Sequence, residues 1–225
     1  MMSYYIDLKS ISLEDLENIL FSADLIKSRM ILKGNIHDNF QKLITLGIRD
    51  TEDLFNILKN KTKLLKLSGE SGISVEYLTI LIRELKGSRQ PPNKIRDFPG
   101  LQENLCNALE KQGIKNTQQL YDKVLSPSAR SELAELTSLD ETTILYLTRL
   151  SDLSRIRWVN HTFAYMLLEA GYESAREVAE ADIVVMHEKV NRINKEKGFY
   201  RGQIGLHDMK LTVDASQFFE QDIVY

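Results

Sequence analysis

Leu43-Ile44-Thr45-Leu46-Gly47-Ile48-Arg49-Asp50-Thr51 and Leu109-Glu110-Lys111-Gln112-Gly113-Ile114-Lys115-Asn116-Thr117 are one pattern written twice, 66 residues apart. The register extends outward without a gap. Gly34 falls on Gly100, Leu54 on Leu120, Leu67 on Leu133, Leu81 on Leu147 and Arg83 on Arg149. Nine identities in this window of 50 positions stand against roughly three expected from average composition. A shorter third copy surrounds Leu167-Leu168-Glu169-Ala170-Gly171-Tyr172. Repetition on this scale decides architecture before any other signal and predicts an array of small helical units.

Each copy can be read physically. Helix-forming residues run into Gly47, Gly113 and Gly171, where glycine can take the left-handed conformation that stops a helix. An apolar residue follows at once (Ile48, Ile114, Tyr172) and packs back on the helix just left. Three residues after each glycine stands a cap residue, Asp50, Asn116 or Ser174. Three further on, Asp53, Gln119 and Glu177 occupy the reaching position of a capping box. Ser74 and Asp140 mark a later helix start in the first two copies, and Ser126-Pro127 marks another between them. Ile183 to Ile193, capped by Asp182, keeps helical spacing, and a last helix from about Leu206 to Phe219 presents Leu206, Met209, Val213 and Phe218. Gly87 to Asn93, with Pro91-Pro92, reads as a linker, and Gly198 to Gly205 as a loop entering a helix. The expected fold is all-α, with units over residues 1–90, 91–150 and 151–225, the third truncated.

Composition narrows the function classes. The 225 residues are 43% hydrophobic and 27% charged, as in an ordinary globular protein, and carry a net charge of −3. No segment is a basic arm, so any phosphate would be bound at a local patch. No apolar run approaches the length of a membrane span, and Met1-Met2-Ser3-Tyr4-Tyr5 lacks a basic segment followed by an apolar one; the expectation is a cytoplasmic chain without a membrane partner. Cys106 is the one cysteine and shares an apolar stripe with Leu105 and Leu109, which predicts a buried, inert thiol. The four histidines (His37, His161, His187, His207) have no i, i+4 pair, and no nucleophile elbow or nucleotide loop is present. Nothing calls for a metal, a cofactor or a catalytic role.

Thirteen residues before each repeat glycine lies a second landmark. It reads Leu32-Lys33-Gly34-Asn35-Ile36, then Phe98-Pro99-Gly100-Leu101-Gln102, then Ile156-Arg157-Trp158-Val159-Asn160. Phe98-Pro99-Gly100-Leu101, followed by Leu105, Leu109 and Gly113-Ile114, resembles a helix-hairpin-helix motif. The resemblance implies tandem helix-hairpin-helix-like (SAM-like) repeats. It implies turns that meet nucleic-acid phosphate through the backbone and the start of the following helix, without sequence specificity. The chain departs from the motif where Ile36, Gln102 and Asn160 stand for its second glycine and Trp158 for its first. Asp152-Leu153-Ser154-Arg155-Ile156, Phe163-Ala164, Leu167 to Tyr172, Glu177-Val178-Ala179 and Asn191 to Asn194 resemble a bacterial domain-of-unknown-function family, number 4332, most strongly over about residues 150–215. That resemblance implies a fold and carries no activity.

The candidate nucleic-acid-binding residues are those at or entering the three turns: Lys33, Gly34, Lys94, Arg96, Gly100, Arg155, Arg157, Trp158 and His161. Arg155, Arg157, Trp158 and His161 read either as a phosphate site with a stacking face or as structure, with Trp158 plugging a gap between repeats and the arginines paired to carboxylates such as Asp152. The Lys59, Lys61, Lys63, Lys66 run reads as a solvated helix end or as a second contact to backbone. Two partner classes follow: DNA or RNA backbone, held by a non-enzymatic protein, or a protein partner, held by a scaffold module that has lost DNA contacts.

Overall fold

The computed structural model describes residues 4–219 and 221–225. Among them are thirteen α-helices, two 3-10 helices and no β-strand. The chain is all-α. It divides into two compact units, residues 7–88 and residues 1–6 with 89–225.

The unit of residues 7–88 holds α1 (Leu13–Ser22), a 3-10 helix (Lys27–Lys33), α2 (Ile36–Thr45), α3 (Thr51–Leu58), α4 (Lys61–Ser71) and α5 (Val75–Gly87). Their apolar stripes meet in one core that includes Leu13, Leu32, Phe40, Leu43, Leu54, Leu78 and Leu81. Burying each such side chain contributes about 1.5–3 kcal/mol. Tyr77 is sunk in the same core and donates its hydroxyl to the carbonyl of Leu32 at 3.1 Å. Burial pushes its phenol pKa up to about 12.

The second unit holds a 3-10 helix (Ile95–Asp97), α6 (Glu103–Lys111), α7 (Thr117–Tyr121), α8 (Pro127–Thr137), α9 (Glu141–Leu153), α10 (His161–Glu169), α11 (Ala175–Ala179), α12 (Ile183–Lys197) and α13 (Leu206–Ser216). A continuous core runs from Ile95 and Leu109 through Leu120, Ile144, Leu153, Val159 and Leu167 to Val190 and Met209. Both chain ends of the described structure pack on this unit. Tyr4, Tyr121 and Ile223 form a satellite cluster. Val224 donates its N–H to the carbonyl of Leu125, and the Arg130 guanidinium donates to the carbonyls of Val124 and Val224.

The repeated stop is built three times in the same way. Gly47, Gly113 and Gly171 have φ of 81°, 77° and 90°. Their N–H groups bond Ile44, Glu110 and Leu168 at 2.9 Å each. The next residues, Ile48, Ile114 and Tyr172, reach back to the carbonyls of Leu43, Leu109 and Leu167. This pairing satisfies the last carbonyls of α2, α6 and α10. The caps also recur: Asp50, Asn116 and Ser174 accept from the N–H groups of Asp53, Gln119 and Glu177. The reaching side chains differ from the expected capping box. Gln119 and Glu177 accept from the N–H groups of Lys115 and Glu173, one residue before the cap. Asp53 instead pairs with the Arg49 guanidinium at 2.7 Å, which holds its carboxyl below the usual carboxylate range.

The copies differ at the residue after the cap. The residue after each cap presents an N–H that must be satisfied. Thr51 donates to the carbonyl of Ile11 and Thr117 to that of Asn93, whereas Ala175 donates to the Asp152 carboxylate at 3.0 Å. The predicted linker is therefore well bonded at its far end. Asn93 and Lys94 lie antiparallel to Lys115–Thr117, with an isolated bridge between Lys94 and Asn116.

Two sequence expectations are corrected in the last helix. It ends at Ser216, and of the four apolar residues expected to mark it Met209 and Val213 are buried, whereas Leu206 and Phe218 are exposed. Leu206 opens the helix and Phe218 lies past its end, so neither sits on the core-facing stripe.

Candidate nucleic-acid interface

Each turn precedes a helix and carries one left-handed residue at its tip: Asn35 (φ 49°), Gly100 (φ 76°) and Trp158 (φ 68°). In the first turn that residue is Asn35 rather than Gly34, whose φ is −73°. A Cβ on Gly34 would stand 3.3 Å from the carbonyl oxygen of Ile31, so this glycine serves close packing. Asparagine is one of the few side chains that visit the left-handed region routinely. Gly34 is exposed and Lys33 half-buried.

The second turn matches the expectation most closely. Gly100 is exposed, and nothing lies within 4 Å of where its Cβ would be. The following helix, α6, starts at Glu103 without a side-chain cap on its first N–H groups, as α2 does in the first turn. Lys94 is exposed. Arg96 is not a spare cation. Its guanidinium is bonded to Glu110 at 2.5 and 3.0 Å and to Asn107 at 2.5 Å.

The third turn separates the predicted cluster into a buried part and an exposed part. Arg155 is 4% exposed. Its guanidinium lies 2.8 Å from Asp152 Oδ1, donates to the Tyr121 hydroxyl at 2.6 Å and stacks on the rings of Tyr121 and Phe219. Asp222 stands 3.8 Å away and accepts from the Tyr121 hydroxyl. Asp152 also accepts from the hydroxyl of Tyr225. Burial raises the phenol pKa values of Tyr4, Tyr121 and Tyr225, so all three are neutral donors at ordinary pH. Arg155 is thus a core residue with its charge already matched, and it does not reach a surface ligand.

Trp158 stands on the outside, 48% exposed, and does not plug a gap between repeats. The Arg157 guanidinium sits 4.0 Å from the centre of its ring. Its backbone is fixed by the Gln90 side chain, which accepts from the N–H of Trp158 and donates to the carbonyl of Val159. Asn93 donates to the same carbonyl at 3.3 Å. His161 is half-buried, with its ring edge-on to Phe98 of the second turn at 6.2 Å. Unlike α2 and α6, α10 is capped: Asn160 accepts from the N–H of Phe163 and from the hydroxyl of Tyr200.

That contact brings in a segment the sequence assigned only to a loop. Residues 200–204 are held by two asparagines of α12. Asn194 bonds the backbone of Tyr200 and Gly202, and Asn191 bonds both backbone groups of Ile204. The Asn191 to Asn194 spacing contained the signal, since i, i+3 places both amides on one helix face. Gln90 gave no such signal, because its role depends on a partner 68 residues away.

Among the described residues no three His, Cys, Asp or Glu side chains come together as a metal site, and no helix is long and apolar enough to cross a membrane. No curated protein and no solved structure matches the chain. The family described as Domain of unknown function (DUF4332) matches residues 99–213, just over half of the sequence, from the second turn to the last helix. That stretch includes the second and third repeat stops, both of their turns and the buried ion pair, and on this extent the chain belongs to the DUF4332 family.

Proposed function

We propose that this protein is a non-enzymatic array of helix-hairpin-helix-like repeats that holds nucleic-acid backbone without reading sequence. The observation that carries the reading is the recurrence of a left-handed residue at each turn tip, directly ahead of a helix start. In the first two turns the helix starts that follow carry no side-chain cap, and the dipole there favours an anion; in the third turn Gln90 takes the N–H of Trp158 and Asn160 caps α10. The second turn is the best contact: Gly100 is open above its Cα, α6 has no side-chain cap, and Lys94 supplies an exposed charge. Such contacts position a strand and carry no base information.

The test is a titration of a labelled DNA oligonucleotide, single- and double-stranded, at two salt concentrations. Binding should fall steeply with salt, and Lys94→Ala should reduce the salt slope by about 1 while weakening all sequences alike. Absence of binding at low salt would remove the reading. The scaffold reading would then take its place, favoured by the exposed side chains of Phe21, Ile26 and Met30 in the unit of residues 7–88.

A further inference from the structure

Trp158 carries two unfavourable features at one residue. Its φ of 68° is a region that bulky L-residues almost never adopt, and it leaves 48% of the largest apolar side chain in water. The matching position of the second turn is Gly100, which accepts that φ without strain. The core beneath the third turn is filled by Ile156 and Val159, both fully buried. The backbone is clamped from two sides by Gln90 and Asn93, so the exposed ring stands on a rigid base. The Arg157 guanidinium lies 4.0 Å from the ring centre, and Trp158 remains 48% exposed.

A fixed, exposed aromatic ring offers a surface on which an unpaired base can stack. In duplex DNA the bases are stacked on one another and the flat face of an indole has nothing to take. We infer that the open face of Trp158 stacks on an unpaired base, so that the third turn makes the protein a binder of single-stranded nucleic acid. This rests on the backbone-binding reading above and adds to it the form of the strand.

Trp158 is the only tryptophan of the chain, so its emission reports this site alone. The experiment titrates the full chain at low salt with an oligothymidylate and with a duplex of equal length, following tryptophan emission. Anisotropy of labelled strands is measured in parallel for wild type and Trp158→Gly. Glycine suits the local φ, so this variant should fold at least as well as wild type, which circular dichroism and thermal melting verify. The expected result is quenching by the single strand and not by the duplex, with Trp158→Gly roughly 5- to 150-fold weaker for the single strand and unchanged for the duplex. Binding of both forms without a change in emission, and with Trp158→Gly equal to wild type, would overturn the stacking inference while leaving the backbone reading intact; the exposed ring would then belong to a protein contact. No binding of either form would overturn the backbone reading and this inference with it.

Discussion

Asp152→Ala should destabilise the unit of residues 1–6 and 89–225 by about 4 kcal/mol, and the structure says why. The carboxylate accepts the N–H of Ala175 and the hydroxyl of Tyr225 and neutralises Arg155, whose side chain is 2% exposed. Removing it takes the counter-charge at 2.8 Å from a buried guanidinium, beside which the Tyr121 hydroxyl remains and the Asp222 carboxylate stands 3.8 Å off. Breaking a buried pair from one side typically costs about 3–5 kcal/mol. The orphaned N–H of Ala175 falls within that figure, since an unmet buried donor alone costs about 1–3 kcal/mol. Arg155→Met should cost a similar amount, because it strands the carboxylate. The double variant removes both charges and should be no less stable than either single one. Urea unfolding followed by Trp158 emission is the suitable assay, because the sole tryptophan lies in the same unit as the pair. At about 2–4 °C per kcal/mol for a unit of this size, each single variant should also melt on the order of 10 °C lower. Single variants within about 1 kcal/mol of wild type, or a double variant whose loss is the sum of the two, would refute the claim that this pair is a coupled core element.

Other outcomes follow from individual residues. Gly113→Ala should lose about 1 kcal/mol through backbone strain alone, since φ is 77° and nothing within 4 Å obstructs a Cβ; equilibrium unfolding measures it. The folded pKa of Tyr77, about 12, lies above the usual 10, so the stability it contributes is complete below pH 10 and is lost as pH rises toward 12; Tyr77→Phe should flatten that loss in alkaline denaturation curves. Cys106 is 3% exposed and burial pushes its thiol pKa up, so labelling by a thiol reagent should be slow in the native protein and fast in urea. Asn194→Ala should speed hydrogen exchange at residues 200–202, whose backbone the amide holds, with little change at the repeat stops.

What the sequence made legible was what local chemistry determines. The stops at Gly47, Gly113 and Gly171, the caps at Asp50, Asn116 and Ser174, and the burial of Cys106 each depend on neighbours within a few residues. Asp152, the carboxylate expected to pair with the third-turn arginines, does pair with Arg155; what escaped is the burial of that pair, which depends on Tyr121 and Phe219 far along the chain. Arg155 and Arg157 are two residues apart and equally basic, yet one is in the core and the other lies against an exposed ring. Helical spacing could not separate them, because they fall in the turn after α9, where no periodicity operates. Arg96 looked available for the same reason; its partner Glu110 stands 14 residues on, across the turn and along α6.

The repeat itself explains why one arginine of the third turn is buried. In the first two copies a segment that precedes the repeat in sequence supplies a neutral carbonyl, from Ile11 or Asn93, to the N–H after the cap. In the third copy the preceding segment is the end of α9, and it meets the N–H of Ala175 with the carboxylate of Asp152. A carboxylate buried there brings a charge that a carbonyl does not, and a buried charge is tolerated only when paired. Arg155, three residues on, supplies the pair, and the surplus capacity of its guanidinium is met by Tyr121, Phe219 and Asp222. The whole buried network thus follows from replacing one carbonyl. By the same logic the network is structural, and its arginine is engaged in the core. What the third turn presents to solvent is the ring of Trp158. An exposed ring, held rigid in a conformation that local sterics oppose, is where a function should be sought.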